Sequence, residues 1–141
     1  ANFASMDYPS IEGRLLGWMT YGFESDGLLY WHVNYWSGND LIQGPDPYLD
    51  WSPTCIYRMT GDGALIYPHK DGLLSSIRLK NVRDAVEDYE YLALLEATAG
   101  REAALTACRK LVTSMTEYSR DPSRLEQVRL EVAHRLAHGP E

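Results

Sequence analysis

The chain has 141 residues and a formal net charge of −7, from thirteen basic and twenty acidic side chains. This length fits a single domain and is too short for a complete (β/α)8 barrel, which needs about 250 residues. The acidic balance argues against a nucleic-acid partner, because phosphate binding requires a clustered basic surface. No apolar run reaches the roughly 20 residues that span a bilayer, so we expect no membrane partner.

The two cysteines, Cys55 and Cys108, are too few for a disulfide framework or a zinc cluster. The acidity and the low cysteine count fit a cytoplasmic protein as well as a periplasmic or secreted one. Residues 1–74 hold all four Trp, both Phe and nine of the eleven Gly, whereas residues 75–138 are rich in Ala, Leu, Glu and Arg. This division predicts strands and loops followed by helices, an α/β composition.

The first element is Ile11–Tyr21, an apolar stretch with small residues that fits a short helix or a buried strand. Its start, residues 11–14, also resembles a protease-cleavage linker. The apolar pattern continues past these residues without a break, which favours a native element.

The turn signal Asp26-Gly27 precedes an uncharged aromatic run that predicts a strand over Leu28–Tyr35, buried on both faces as in a parallel sheet. One face is apolar, and the other becomes more polar toward the C-terminal end, through His32, Asn34 and Trp36. Ligands of α/β enzymes bind at such strand ends. The Trp36 indole suits the apolar face of a sugar ring, and Asn34 could bond a ring hydroxyl. The alternative is an ordinary central strand in which His32 and Asn34 are hydrogen-bonded in the core.

A long connection, Ser37–Leu74, follows, and such loops are uncommon unless they are functional. Within it, Thr54–Arg58 and Ala64–Tyr67 are predicted as short strands around a turn at residues 60–63. Gly61-Asp62-Gly63 lacks the spacing of a phosphate loop. Asp62 and Tyr67 are candidate loop contacts to a ligand.

Three helices are predicted in the second half. The first, Ile77–Ala97, is capped by Ser75 or Ser76, ends at Gly100, and has an apolar stripe at Ile77, Val82, Val86, Tyr89, Leu92 and Leu95. The others are Arg101–Tyr118 and a helix that starts at Asp121-Pro122 and runs to about His138.

Two clusters in these helices resemble chemical sites. Glu87, Asp88 and Glu90 fan across more than one helix face, which favours a solvated or ion-paired surface over a catalytic one. His134 and His138 have a possible metal-ligand spacing, but no third ligand is evident nearby. We therefore expect neither a metal nor a cofactor.

Several ordered stretches match a known pattern: residues 14–19, 26–31, 34–36, 61–68, 76–79 and 83–92. On these residues the chain resembles the C-terminal part of glycoside hydrolase family 123 and its relatives. The resemblance implies a (β/α)8 barrel with retaining exo-β-N-acetylgalactosaminidase activity. It also implies that the substrate's acetamido oxygen attacks the anomeric carbon, a departure from the two-carboxylate scheme. In that mechanism an adjacent Asp-Glu pair orients the acetamido group and acts as general acid/base.

No adjacent Asp-Glu dipeptide occurs in the 141 residues, so no catalytic carboxylate is assigned. The resemblance predicts the C-terminal portion of a (β/α)8 barrel: last strand, long loop with a small hairpin, and closing helix. Residues 1–100 would be this segment of the catalytic domain, and residues 101–141 a helical C-terminal extension. The expected substrate-binding residues are Trp36, Asn34, His32, Tyr67 and Asp62.

The expected partners are a carbohydrate substrate and either the missing N-terminal segment of the same enzyme or a second copy of the chain. Without the upstream segment, we expect the chain to be inactive. Two other hypotheses remain open. The chain is either a carbohydrate-binding module without hydrolytic activity, or a structural domain that binds a partner through the helices after Ser75.

Overall fold

The computed structural model describes residues 3–35 and 59–139 of the chain. These residues form four helices, α1 (Glu12–Gly22), α2 (Ile77–Ala99), α3 (Arg101–Arg109) and α4 (Pro122–His138), and one hairpin, β1 (Ile66–His69) and β2 (Gly72–Ser75). The described part thus combines helices with a small antiparallel sheet, which is compatible with an α/β protein. None of the described helices is both long and apolar enough to cross a membrane.

Helix α1 confirms the predicted element at Ile11–Tyr21, as a helix and not a strand. Leu15 and Trp18 on its inner face are completely buried. The Glu12 and Gly13 residues at its start are buried as well, so this stretch is part of the fold and the cleavage-linker interpretation is wrong.

Helices α1 and α2 approach each other closely because small residues line their contact. A Cβ atom placed on Gly17 would lie only 1.9 Å from the carbonyl oxygen of Ala85. A Cβ atom on Gly13 would lie 3.0 Å from the Cβ of Asn81. The backbone of α1 therefore rests almost directly on α2, and glycine at position 17 is a steric requirement.

Helix α2 begins at Ile77 as predicted and runs to Ala99, two residues beyond the predicted Ala97. The Ser76 side chain accepts a hydrogen bond of 3.1 Å from the Leu79 amide, and Gly100, with φ of +85°, ends the helix. The buried face differs from the predicted apolar stripe, since Ile77 and Val86 are exposed. Two charged side chains of this helix, Arg78 and Asp88, are buried instead, and each finds polar acceptors or donors in the core.

The predicted helix Arg101–Tyr118 is too long, because α3 ends at Arg109. The chain then turns back on itself, and the amides of Thr113 and Ser114 donate to the carbonyl of Glu117 at 3.0 and 3.1 Å. Helix α4 matches its prediction, with the Asp121 side chain capping the Ser123 amide at 2.9 Å. One apolar core joins all four helices and includes Trp18, Leu92, Leu111 and Val128.

The hairpin lies later in the chain than predicted. Strands β1 and β2 pair Ile66 with Ser75 and His69 with Gly72, so the turn falls at residues 70–71. Residues 60–63 form a separate turn, in which Gly61 and Gly63 have φ of +83° and +78°. Two left-handed residues so close together bend the chain away from a regular strand pairing. The predicted strand Thr54–Arg58 lies outside the described residues.

The predicted strand Leu28–Tyr35, buried on both faces, does not form. Leu29 is 89% exposed, and among the described residues the segment makes a single isolated bridge, between Asn34 and Ala64. A strand of this kind needs hydrogen-bonded neighbours along both edges. In residues 3–35 and 59–139 it is accompanied only by residues 63–66, at one end. The alternative, a central strand with His32 and Asn34 in the core, is wrong for the same reason, because Asn34 is exposed.

Candidate functional site

The turn at residues 61–64 presents the Asp62 side chain to the aromatic segment that follows α1. Gly61 and Gly63 flank Asp62, and their left-handed conformations are costly for any residue with a Cβ atom. A Cβ on Gly63 would also lie 2.7 Å from the Trp31 ring. The two glycines thus allow the turn to press against the aromatic residues.

One oxygen of Asp62 accepts two hydrogen bonds from this segment. The Tyr30 hydroxyl donates to Oδ1 at 2.7 Å, and the Trp31 indole nitrogen Nε1 donates to the same atom at 3.2 Å. The Tyr30 hydroxyl in turn accepts the Gly63 amide at 2.5 Å. Burial, followed by the neighbouring Asp62 carboxylate, raises the pKa of Tyr30 well above its usual range, so this phenol stays protonated as a donor.

Neighbouring residues of a regular strand point to opposite faces, yet Tyr30 and Trp31 bind the same oxygen. The backbone therefore bends at Trp31 and gathers several rings on one side. The centroid of the Trp31 ring lies 5.6 Å from that of His32 and 5.1 Å from that of Tyr35, and the His32 and Tyr35 centroids are 5.2 Å apart. We call Tyr30, Trp31, His32, Tyr35 and Asp62 the aromatic cluster.

The aromatic cluster offers both an apolar surface and a hydrogen-bond acceptor. Trp31 is 44% exposed, so part of this residue is accessible to a ligand. The Oδ2 oxygen of Asp62 accepts no hydrogen bond from the described residues. A flat aromatic ring beside a carboxylate oxygen suits a sugar, which has an apolar C–H face and hydroxyl donors at its rim.

The structure brings three of the five predicted site residues together. Asp62 and His32 belong to the aromatic cluster, and Asn34 lies next to it in the chain, where its backbone N–H donates to His32 Nδ1 at 3.3 Å. Tyr67 is held elsewhere, since its hydroxyl accepts a hydrogen bond of 2.7 Å from the buried Arg78. Trp36 lies outside the described residues.

Sequence reasoning missed the roles of Tyr30, Trp31 and Arg78. The period-two rule of a regular strand places Tyr30 and Trp31 on opposite faces, and a bent segment does not obey this rule. Arg78 directly follows the first residue of a helix, where a basic side chain is unremarkable in sequence. The pair of glycines around Asp62 is the sequence signal for the role of Arg78, because it predicts a tight turn whose free carbonyl oxygens require a hydrogen-bond donor.

A second polar cluster lies in the helical core around Asp88, which is completely buried. Arg14 and Arg129 donate to its two oxygens, each at 2.8 Å, and the Trp18 indole donates at 3.1 Å. Glu87 and Glu90 are exposed. The prediction of an ion-paired surface at residues 87–90 is therefore correct for the pairing and wrong for the location of Asp88.

The buried Glu12 carboxylate is satisfied in the same way, by Arg120 at 2.9 Å and the Tyr118 hydroxyl at 3.2 Å. Carboxylates already paired with arginines in a protein core are structural groups. The His134 and His138 rings lie 4.5 Å apart. Within residues 3–35 and 59–139, no three His, Cys, Asp or Glu side chains are arranged to hold a metal ion.

Comparison with known proteins agrees with the resemblance found in the sequence. Residues 2–95 match the family model described as glycoside hydrolase 123, catalytic domain. The match includes α1, the aromatic cluster, the hairpin and most of α2. No curated protein matches the chain. The matched residues make up about two thirds of the sequence, and the chain therefore belongs to glycoside hydrolase family 123.

Proposed function

We propose that this chain is the C-terminal part of the catalytic barrel of a retaining β-N-acetylgalactosaminidase, and that its aromatic cluster binds the sugar. The observation that carries the proposal is the family match over residues 2–95. In the mechanism that the family resemblance implies, the substrate's own acetamido oxygen is the nucleophile. An Asp orients this group, and the adjacent Glu acts as general acid/base.

The catalytic pair is supplied by an upstream segment of the same enzyme, because these 141 residues contain no adjacent Asp-Glu dipeptide. The buried Glu12 and Asp88 do not replace it. Both are completely buried and hydrogen-bonded to arginine side chains, so they cannot reach a substrate or exchange protons with it. The contribution of this chain is therefore binding and orientation.

The sugar would stack on Trp31 and donate a hydroxyl hydrogen bond to Asp62 Oδ2. His32 and Asn34 lie at the same surface and offer further polar groups. Stacking and one charge-assisted hydrogen bond would orient a neutral sugar without any group of this chain taking part in bond cleavage.

The upstream segment would dock on a groove that includes the loop leading from α1 to the aromatic cluster. The groove has a volume of about 390 Å³ and lies between α1, α2 and residues 25–28. Apolar side chains from both helices and the loop line it: Leu16, Leu28, Val82 and Val86. Leu28 and Val86 are more than half exposed, and the neighbouring Leu29 is almost fully exposed. Surfaces of this kind mark an interface, and the lack of an adjacent Asp-Glu pair in these 141 residues supports the rest of the enzyme as its occupant.

The test is a paired measurement of mass and activity. The intact mass of the source protein shows whether an upstream piece accompanies this chain. The source assembly and the 141-residue chain are then each assayed on an aryl N-acetyl-β-galactosaminide. We expect hydrolysis by the assembly and none by the chain alone. In the assembly, Trp31→Ala should raise KM about tenfold, whereas Met115→Ala, which removes an exposed apolar side chain of a separate loop, should leave KM unchanged.

A source protein of the chain's own mass that is a compact monomer and hydrolyses nothing would contradict the proposal. The second candidate, a carbohydrate-binding module, would then be favoured if this monomer bound the sugar. A homo-oligomer joined through the groove would contradict the upstream occupant.

A further inference from the structure

Arg78 is an unusual buried cation. It is 4% exposed and lies in the first turn of α2. Its guanidinium donates to the carbonyl oxygens of Gly61 at 2.5 Å and Ala64 at 2.6 Å, to the Tyr67 hydroxyl, and to the carbonyl oxygen of Ala4. Four acceptors from three separate parts of the chain meet on one side chain.

No carboxylate of residues 3–35 or 59–139 forms an ion pair with Arg78, in contrast to Arg14, Arg120 and Arg129. Burying a cation without a counter-charge is costly unless hydrogen bonds compensate it. Here the compensation comes from main-chain carbonyls and a phenol. The planar fork of arginine matches several fixed acceptors at once, which a lysine ammonium cannot reproduce.

The two carbonyls of the turn that bind Arg78 lie on either side of Asp62 in sequence. Fixing residues 61 and 64 therefore fixes the part of the turn that carries the carboxylate. The contact is tight, because a Cβ atom on Gly61 would lie 2.7 Å from the guanidinium. Asp62 in turn holds the Tyr30 hydroxyl and the Trp31 indole.

We propose that Arg78 is the positioning residue of the aromatic cluster. It holds the turn at residues 61–64 so that Asp62 keeps Trp31 in the orientation that a sugar requires. Arg78 acts through the turn and Asp62 and does not touch the ligand. Only the sugar-affinity part of this inference rests on the proposed function, since the orientation of Trp31 can be measured without any ligand.

The test uses the ¹⁵N-labelled chain and follows two indole N–H resonances. Trp31 reports its hydrogen bond to Asp62, and Trp18 reports its hydrogen bond to Asp88 in the helical core. We expect Arg78→Lys to shift the Trp31 resonance and leave the Trp18 resonance unchanged. The matched control is Arg83→Lys, on the same helix, where the side chain is exposed and pairs with Asp84. It should shift neither resonance.

A double variant tests whether the effect passes through Asp62. In an Asp62→Ala background, adding Arg78→Lys should cause no further shift of the Trp31 resonance. If Arg78→Lys does not fold, Tyr67→Phe provides the second test. It removes one acceptor of the Arg78 guanidinium without altering residues 61–64, and it should shift Trp31 alone. The inference is overturned if the two indoles shift together, if neither shifts, or if the effects of Arg78→Lys and Asp62→Ala add.

The sugar readout separates this inference from the proposed function. Titration with methyl N-acetyl-β-galactosaminide should show about tenfold weaker binding to Arg78→Lys than to the unmodified chain. If the unmodified chain binds no sugar while the Trp31 shift is as expected, the proposed sugar site fails and the positioning role stands. If the sugar binds equally to both forms and the Trp31 resonance does not move, the positioning role fails alone.

Discussion

The contact between α1 and α2 predicts how three glycines of one helix respond to the same substitution. A Cβ on Gly17 would lie 1.9 Å from the Ala85 carbonyl oxygen, and a Cβ on Gly13 would lie 3.0 Å from the Asn81 side chain. At Gly22 the nearest atom is the Cβ of Cys108, at an ordinary contact distance of 3.7 Å. Each substitution gains helix propensity, so the differences among them report steric fit.

The magnitudes follow from these distances. At position 17, an alanine must push the α2 backbone away by more than 1 Å, a displacement that overpacked cores resist at a cost of about 3 kcal/mol. The gain in helix propensity is about 1 kcal/mol. The net loss of about 2 kcal/mol should lower Tm by about 6 °C in a chain of this size. At position 13 we expect a change near zero, because a side chain can shift by a few tenths of an ångström. At position 22, near the helix end, we expect a small gain.

The assay is thermal and urea unfolding of the three variants, followed by circular dichroism at the helix band. The expected order of stability is Gly22→Ala, then Gly13→Ala, then Gly17→Ala. A Gly17→Ala variant at least as stable as Gly22→Ala would refute the close approach of the two helices. A change in the slope of the urea transition would show that the unfolded or native ensemble had changed, and the midpoints alone could not then be compared.

Three further predictions concern the carboxylates of Asp88 and Asp7 and the thiol of Cys108. Asp88→Asn removes the counter-charge of two half-buried arginines, Arg14 and Arg129, and should lower the free energy of unfolding by about 2–3 kcal/mol in urea titration. The Thr60 backbone amide donates to Asp7 and lowers the pKa of its carboxyl below the ordinary value of 3.8. The stability that this hydrogen bond adds is present above pH 3.8 and is lost as the pH falls through the lower pKa of the folded state. Asp7→Asn should therefore make the free energy of unfolding depend less on pH in this acidic range. Burial raises the pKa of the Cys108 thiol to about 12, so little reactive thiolate is present at pH 8. In a Cys55→Ser variant, iodoacetamide at this pH should react about a hundredfold more slowly with the native protein than with the urea-unfolded protein. Equal rates would contradict the burial of Cys108.

The elements that sequence predicted well are those with local signals. The capping serine at position 76, the glycine at position 100 and the Asp121-Pro122 start of α4 depend only on neighbouring residues, and the structure places each as expected. The buried face of α2 was predicted less well. Hydrophobicity predicts that Ile77 and Val86 are buried, whereas Arg78 and Asp88 are buried in the structure instead. The hydrogen-bond partners of these two charged side chains come from distant parts of the chain, so a local pattern does not reveal them.

The aromatic run at residues 28–35 was predicted incorrectly from its composition. Its composition is that of a buried strand, but burial depends on neighbouring strands, and the described residues accompany it only near Asn34 and Tyr35. Asp62 was predicted as a ligand contact from its place in a loop. Its hydrogen bonds with Tyr30 and Trp31 could not be predicted, because they depend on a bend in that segment and on the left-handed glycines of the turn.

The central claim is that the aromatic cluster binds an N-acetylhexosamine through Trp31 and Asp62. The most direct measurement is a titration of the ¹⁵N-labelled chain with methyl N-acetyl-β-galactosaminide, following the indole resonances of Trp31 and Trp18. The account predicts a saturable shift of the Trp31 resonance, with a Kd of about 1 mM for a single sugar. The Trp18 resonance should not move, and Asp62→Ala should abolish the response. A Trp31 resonance that stays fixed up to about 20 mM sugar, twentyfold above that Kd, would contradict the claim.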